Sequence, residues 1–166
     1  MLRRAVLLFL IAGTAMAQAA PMTDFERDVL AAHNRERAAV GVPPLTWSDA
    51  LAADAAPWAK HLAELGTLQH SRDDQRLNEG ENLWMGTAGG YTPTQMVSGW
   101  AREKRYFRPG VFKNGLADDG QVIGHYTQMI WKTTTQVGCA MATGGGYDVL
   151  VCRYAPPGNW IGQAPY

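Results

Sequence analysis

Gly124-His125-Tyr126-Thr127-Gln128-Met129-Ile130-Trp131 and, further on, Pro156-Pro157-Gly158-Asn159-Trp160-Ile161 are the two stretches whose reading decides the fold. Each is short. Two more lie upstream, His33-Asn34-x-x-Arg37 and Gly80-Glu81-Asn82-Leu83, and the last stretch extends into a closing run from Val149 to Gln163. Taken in order, the four bracket the chain from residue 33 to its end, so one continuous domain over residues 24–166 is expected.

Between the two deciding stretches, Val137 to Ala142 and Tyr147 to Tyr154 cluster β-formers around Gly144-Gly145-Gly146, which predicts a hairpin. Its arms carry Cys139 and Cys152. Before GHYTQMIW the chain is irregular, with Pro109, Gly110 and the Asn114-Gly115 turn signal. Thr92-Pro93-Thr94-Gln95 predicts a helix start with a capping box and proline at the first helical position, and Met96, Val97 and Trp100 form its buried face. Glu81 to Met85 is a short strand candidate. Residues 67 to 80 are polar and lack periodicity, which puts His70 on a loop.

Further upstream, Ser48 is a cap for a second helix whose apolar stripe is Leu51, Ala52, Ala55, Ala59, Leu62 and Leu65, closed by Gly66. Pro57 interrupts the stripe and predicts a kink near residues 53 to 57, or a split. Thr23-Asp24-Phe25-Glu26 is a capping box for the first helix, which Gly41 and Pro43-Pro44 stop. Helices interleaved with short, mostly antiparallel strands predict an α+β domain with helices covering a sheet.

The amino terminus reads as a secretory signal over residues 1–19. Arg3 and Arg4 precede an apolar run from Ala5 to Ala12, too short to span a bilayer, and cleavage after Ala17 or Ala19 fits the small-x-small rule. This predicts a secreted product, extracellular or periplasmic, that is not an integral membrane protein. The 166-residue chain has no net charge, and loss of the two signal arginines leaves about −2. That balance supplies no basic footprint for nucleic acid and no polybasic membrane patch. In an oxidising compartment Cys139 and Cys152, the only two cysteines, are expected to pair and to contribute roughly 3 kcal/mol by loop closure. The alternative is two buried free thiols.

The ordered motifs resemble those of the CAP superfamily: the cysteine-rich secretory proteins, antigen 5 and the plant pathogenesis-related class 1 proteins, also called the SCP domain. The resemblance implies a three-layer α-β-α sandwich. It also implies an open cleft where two histidines and two glutamates meet, at the positions of His70, Glu81, Glu103 and His125. Glu103 follows Trp100 in a W-x-x-E pattern on the third helix, and His70 rests on Gln69-His70-Ser71.

Two neutral imidazoles are good ligands for zinc or another divalent metal, and nearby carboxylates can bind the ion or accept an imidazole N–H. Two histidines with outer acids remain an incomplete zinc shell, and the set reads equally as a polar network that locks loops to the core. A metal-assisted or serine-type hydrolase would use the same tetrad, with Ser71 as nucleophile. The sequence offers no nucleophile elbow and no His-Glu-x-x-His helix, so a non-enzymatic binding module is the main reading. His33 and His61 read as satisfied or surface histidines, and Asn34 and Arg37 as ties from the first helix to loops.

Some superfamily members bind sterols or fatty acids through an aromatic loop before the GHYTQ block. Tyr106, Phe107, Val111 and Phe112 occupy that loop here, which nominates Phe107 and Phe112 as lipid-binding residues, although Arg105 breaks the expected spacing. An extracellular or host protein is the other expected partner. The closing PPGNWIGQAPY, Pro156 to Tyr166, matches the signalling peptide released from plant relatives; the structural reading is that Trp160, Ile161 and Tyr166 pack the tail against the sandwich.

Overall fold

Helix α1 (Asp24–Ala39) begins with the full capping box: the Glu26 N–H donates to the Thr23 hydroxyl and the Thr23 N–H donates to the Glu26 carboxylate. The computed structural model describes residues 21–76 and 78–166, so the expected signal segment, residues 1–19, and its two cleavage points lie outside the described residues. Strand β1 (Thr46–Trp47) leads into α2 (Asp49–Leu65), which Ser48 caps through the Leu51 N–H and Gly66 closes at φ 70°.

The expected split at Pro57 does not occur, and α2 runs unbroken through it. Pro57 lies on the exposed side of the helix, as does Ala53, whose carbonyl loses its partner there, so water can take the place of the missing N–H.

Strand β2 (Gly80–Thr87) is longer at both ends than its sequence signal. Helix α3 (Pro93–Ala101) starts on the predicted Thr92–Gln95 capping box and passes into a 3-10 turn, Arg102–Arg105. Glu103 therefore sits on that turn and not on the helix proper. Helix α4 (Gly124–Met129) forms from the GHYTQM block. The hairpin of β3 (Gln136–Gly144) and β4 (Tyr147–Ala155) turns through Gly145 and Gly146, whose φ values of 57° and 86° are the pair of positive angles a two-residue hairpin turn of this kind requires.

The sheet order is β1-β3-β4-β2, with β1 parallel to β3 and the other neighbours antiparallel. Pleating sends alternate residues of β4 to opposite faces. Val149 and Val151 meet Ala55, Ala59, Leu62 and Ala63 of α2. Leu150, Cys152 and Tyr154 meet the α1, α3 and α4 side, with Val29, Met96, Trp100 and Met129. The result is the three-layer α-β-α sandwich, with β2 and β1 as its edges. Helix α2 lies so close to β3 that a Cβ at Gly138 would stand 2.3 Å from both the Ser48 carbonyl oxygen and the Ala52 nitrogen. Cys139 and Cys152 face each other in the hairpin register and form the disulfide. No helix among the described residues is long and apolar enough to cross a membrane.

Candidate functional site

Glu81 and Asn82 are neighbours on the edge strand β2, so their side chains point to opposite faces of the sheet. Glu81 pairs in register with Arg153 on the α2 face, and Asn82 with Cys152 on the other. Each residue anchors one half of the candidate site.

On the α2 face the Glu81 carboxylate is a junction. His70 Nδ1 lies 2.7 Å from Oε1, which also accepts the Ser71 N–H at 3.0 Å, while Oε2 accepts the Ser71 hydroxyl at 2.8 Å and pairs with Arg153 Nη2 at 3.0 Å. Burial alone would raise the Glu81 pKa. The hydrogen bonds from His70 and Ser71 and the Arg153 charge outweigh it and hold the carboxyl below its usual range. His70 itself stays open to solvent, with 57% of its side chain exposed against 1% for Glu81.

On the other face, α4 starts at Ile123, which has no side chain able to cap it. Glu103 reaches across from the 3-10 turn and does so: its Oε2 accepts the N–H groups of His125 and Tyr126, each at 3.0 Å. Its Oε1 lies 2.6 Å from His125 Nδ1. One carboxylate thus caps the helix and orients the imidazole, whose ring stacks on Trp100 with 6.1 Å between centroids.

The structure therefore joins the four expected residues as two pairs, His70 with Glu81 and His125 with Glu103. In both, Nδ1 faces the carboxylate, and Nε2 makes no hydrogen bond within the described residues. A carboxylate on one imidazole nitrogen orients the ring and leaves the other nitrogen open to a metal. Among the described residues, however, no group of three or more His, Cys, Asp or Glu side chains is gathered as a metal shell. The donor set is not that of a closed structural zinc site.

On the His125 side of the sheet runs a buried polar chain that the sequence reading missed. Asn82 Nδ2 donates to the His125 carbonyl at 3.1 Å and to the Tyr154 hydroxyl at 3.0 Å; Tyr154 in turn meets His33 Nε2 at 2.8 Å. His33 Nδ1 lies 2.8 Å from the Val29 carbonyl, so His33 is a satisfied core histidine, as expected. Its signal was its place four residues after Val29 on the buried stripe of α1. Asn34 ties α1 to Leu45 through both the N–H and the carbonyl of that residue. Arg37, fully buried, donates to the carbonyls of Pro43, Met129, Trp131 and Thr134. Burial lowers its pKa to about 10, opposed by Tyr154, so the guanidinium remains charged at neutral pH. His61 is exposed and tilts against Trp58.

Phe107 and Phe112 are both 9% exposed. Phe107 packs edge-on against Tyr126 and also against Tyr166, and Phe112 edge-on against Trp131. The cavity that they border is about 180 Å³. The tail departs from expectation at Trp160 and Ile161, which are 53% and 77% exposed, while Tyr166 packs against Phe107 as expected. Backbone bonds hold it too, from the Phe112 N–H to the Gln163 carbonyl, the Gly162 N–H to the Phe112 carbonyl and the Lys132 N–H to the Pro165 carbonyl, and the Asn159 side chain bonds the Gly124 carbonyl and the Thr127 hydroxyl. With the tail fixed in this way, Trp160 and Ile161 are free to face water.

Sandwich, edge-strand pairs and disulfide define a domain of the CAP type. The model of the cysteine-rich secretory protein family matches residues 30–154. Pathogenesis-related protein 1C of Nicotiana tabacum is 40% identical over 163 residues, 97% of this chain and 90% of the tobacco protein. Among solved structures, NaASP2 with Zn2+ superposes with a TM-score of 0.73 at 25% identity, over 87% of this chain and 86% of that one. Na-ASP-1 gives 0.72 at 27% identity over 87% of this chain, which spans only 42% of that longer protein. The chain belongs to the cysteine-rich secretory protein family.

Proposed function

We propose that this protein acts outside the cell as a binding module without turnover, taking a divalent cation on its paired histidines and an apolar ligand, sterol or fatty acid, at the 106–123 loop. The observation that carries the reading is the engagement of both imidazoles. Each is tied through Nδ1 to a carboxylate, and among the described residues neither His70 nor His125 hydrogen-bonds a hydroxyl or thiol that it could activate. Ser71, the nucleophile a hydrolase would need, directs its hydroxyl at Glu81, whose lowered pKa makes it a poor proton acceptor. The family description and the likeness to plant pathogenesis-related proteins support action in the extracellular space, against a host or environmental partner.

His70 and His125 would hold the ion through Nε2; that NaASP2, similar in fold, was solved with Zn2+ supports zinc as the ion to test. A bound divalent ion would supply positive charge and open coordination positions for oxygen atoms of a partner. The loop cavity of about 180 Å³ falls below the roughly 300–1,000 Å³ of ordinary small-molecule sites, so an apolar ligand would have to displace Phe107 or Phe112.

Calorimetric titration of the mature protein with Zn2+ at neutral pH should give one ion per chain, weakened by His70→Ala and equally by His125→Ala. Two independent sites, or binding indifferent to both changes, would refute the cation assignment. Hydrolysis of ester or peptide substrates that disappears in His125→Gln would refute the absence of turnover. Saturable binding of a radiolabelled sterol or fatty acid, altered by Phe112→Ala, would support the loop assignment, and no saturable signal would remove it.

A further inference from the structure

A cleft of about 650 Å³ lies between α2 and the segment of residues 69–76, with Arg153 of β4 in its wall. Its lining includes His70 but not Glu103 or His125. Its volume falls within the roughly 300–1,000 Å³ of small-molecule sites.

Trp58 and His61 share one wall. They are three residues apart on α2, their ring centroids lie 4.8 Å apart and their planes differ by 33°, so they present a nearly continuous aromatic surface. Trp58 Nε1–H is fixed to the Gln69 carbonyl at 3.1 Å, which holds the indole in place and leaves recognition to its face.

The rim is polar without being a free charge. Arg72 is held by two bonds to Asp74, and Arg153 lies against Glu79 and Glu81. Asp54 lines the cleft as well. An anion would find both arginines already neutralised and a carboxylate beside them. Neutral donors and acceptors remain: the Gln69 side chain, and the amide NH2 of Gln75, whose oxygen accepts the Arg72 N–H. Arg153 Nε, in a side chain 1% exposed, has no hydrogen-bond partner among the described residues.

We propose that this cleft binds a neutral oligosaccharide, with the C–H face of one sugar ring lying on Trp58 and His61 and its hydroxyls meeting Gln69, Gln75 and the Arg153 side of the wall. An aromatic face accepts the apolar side of a sugar ring while the rim satisfies its hydroxyls, a division that suits neither a lipid nor a polyanion. The cleft shares His70 with the cation assignment, but the sugar contacts argued for it use neither that imidazole nor the loop, so the proposal stands if both of those assignments fail.

The test is calorimetric titration of the mature protein with cellohexaose, chitohexaose and xylohexaose, alongside a hexagalacturonate and a heparin hexasaccharide. The expected result is saturable binding of at least one neutral probe, unchanged between about 0.05 and 0.5 M salt because no free charge is involved. Trp58→Ala should weaken that binding roughly tenfold and His61→Ala several-fold, while Trp160→Ala, which leaves the cleft lining intact, should not alter it. Trp58 is half-buried, so should Trp58→Ala fail to fold, the exposed His61→Ala and Gln75→Ala carry the test. Three results would each overturn the proposal: no neutral probe binding, binding indifferent to His61→Ala and Gln75→Ala, or binding confined to the charged probes and abolished by salt.

Discussion

Protonating His33 should unfold this protein by degrees, and the size of the effect follows from its surroundings. A carbonyl can only accept, so Nδ1–H donates to Val29 and Nε2 accepts the Tyr154 O–H, which fixes one neutral tautomer in a fully buried position. Burial lowers the His33 pKa from 6.5 to about 4, opposed by the Val29 hydrogen bond and reinforced by the Arg37 charge. In the unfolded chain the imidazole takes up its proton near the ordinary value. Between pH 6.5 and about 4 the unfolded state therefore binds a proton that the folded state refuses, and stability must fall as pH falls through that window. At about 1.4 kcal/mol per pH unit the loss approaches roughly 3 kcal/mol, a large part of the 5–15 kcal/mol typical of a domain.

Urea unfolding of the oxidised protein at pH 7, 6, 5 and 4, at fixed ionic strength, measures the loss directly. His33→Gln supplies the reference. It should be less stable at pH 7 but should lack most of the decline. Glu81, with its lowered pKa, contributes stability at neutral pH that is lost as pH drops below the ordinary carboxylate value and through its folded one; Glu79, raised chiefly by burial, acts in the opposite sense. Both are present in either protein and cancel in the difference. Parallel stability curves for the two proteins across the window would refute the assignment of a neutral, buried His33.

Arg37→Met should lower unfolding free energy by on the order of 4 kcal/mol in denaturant titration, because four backbone carbonyls lose their donor at once. Replacing both Cys139 and Cys152 with alanine should remove roughly 3 kcal/mol, read from the same titration against the oxidised wild type. Asn82→Ala should weaken stability by about 1–2 kcal/mol and shift the His125 imidazole resonances while leaving those of His70 in place, since Asn82 touches only the His125 half of the site. Movement of His70 alone would contradict that placement.

The sequence showed most clearly what is decided within a few residues. Thr23 with Glu26, Ser48, and Thr92 with Gln95 each cap the helix that their spacing predicts, and the glycine turn closes the hairpin where expected. Pro57 misled because the local rule forbids a helix only where the lost hydrogen bond cannot be replaced, and exposure is settled by the layer packing. Ile123 gave no sign of a helix start, since its cap arrives from Glu103 in a distant segment. Of the tail's apolar side chains Tyr166 packs on Phe107 as its hydrophobicity suggests, whereas Trp160 and Ile161 face water because backbone pairing with Phe112 and Lys132, which no side-chain pattern encodes, also holds the tail. The His33, Tyr154 and Asn82 chain escaped notice for the same reason: its links join α1, β4 and β2, and only the register aligns them.

That register also explains why the candidate site occupies the edge of the sheet. The centre is closed by the β3–β4 hairpin and its disulfide, and α2 packs too tightly over Gly138 to admit a ligand. Strand β2 is bonded on one side only, so residues on both of its faces can meet segments that wrap round the edge: Ser71 and His70 on one side, α4 and the Glu103 turn on the other. His70 is then held by a carboxylate and not by apolar packing, which separates binding from stability on that side, whereas His125 also stacks on Trp100. Removing the His70 ring, more than half exposed, leaves Glu81 with its bonds to Ser71 and Arg153. Removing the Glu81 carboxylate would instead strip a partner from Ser71, His70 and the buried Arg153 together. His70 can therefore change with little effect on the fold, while Glu81, which aims it, is part of it.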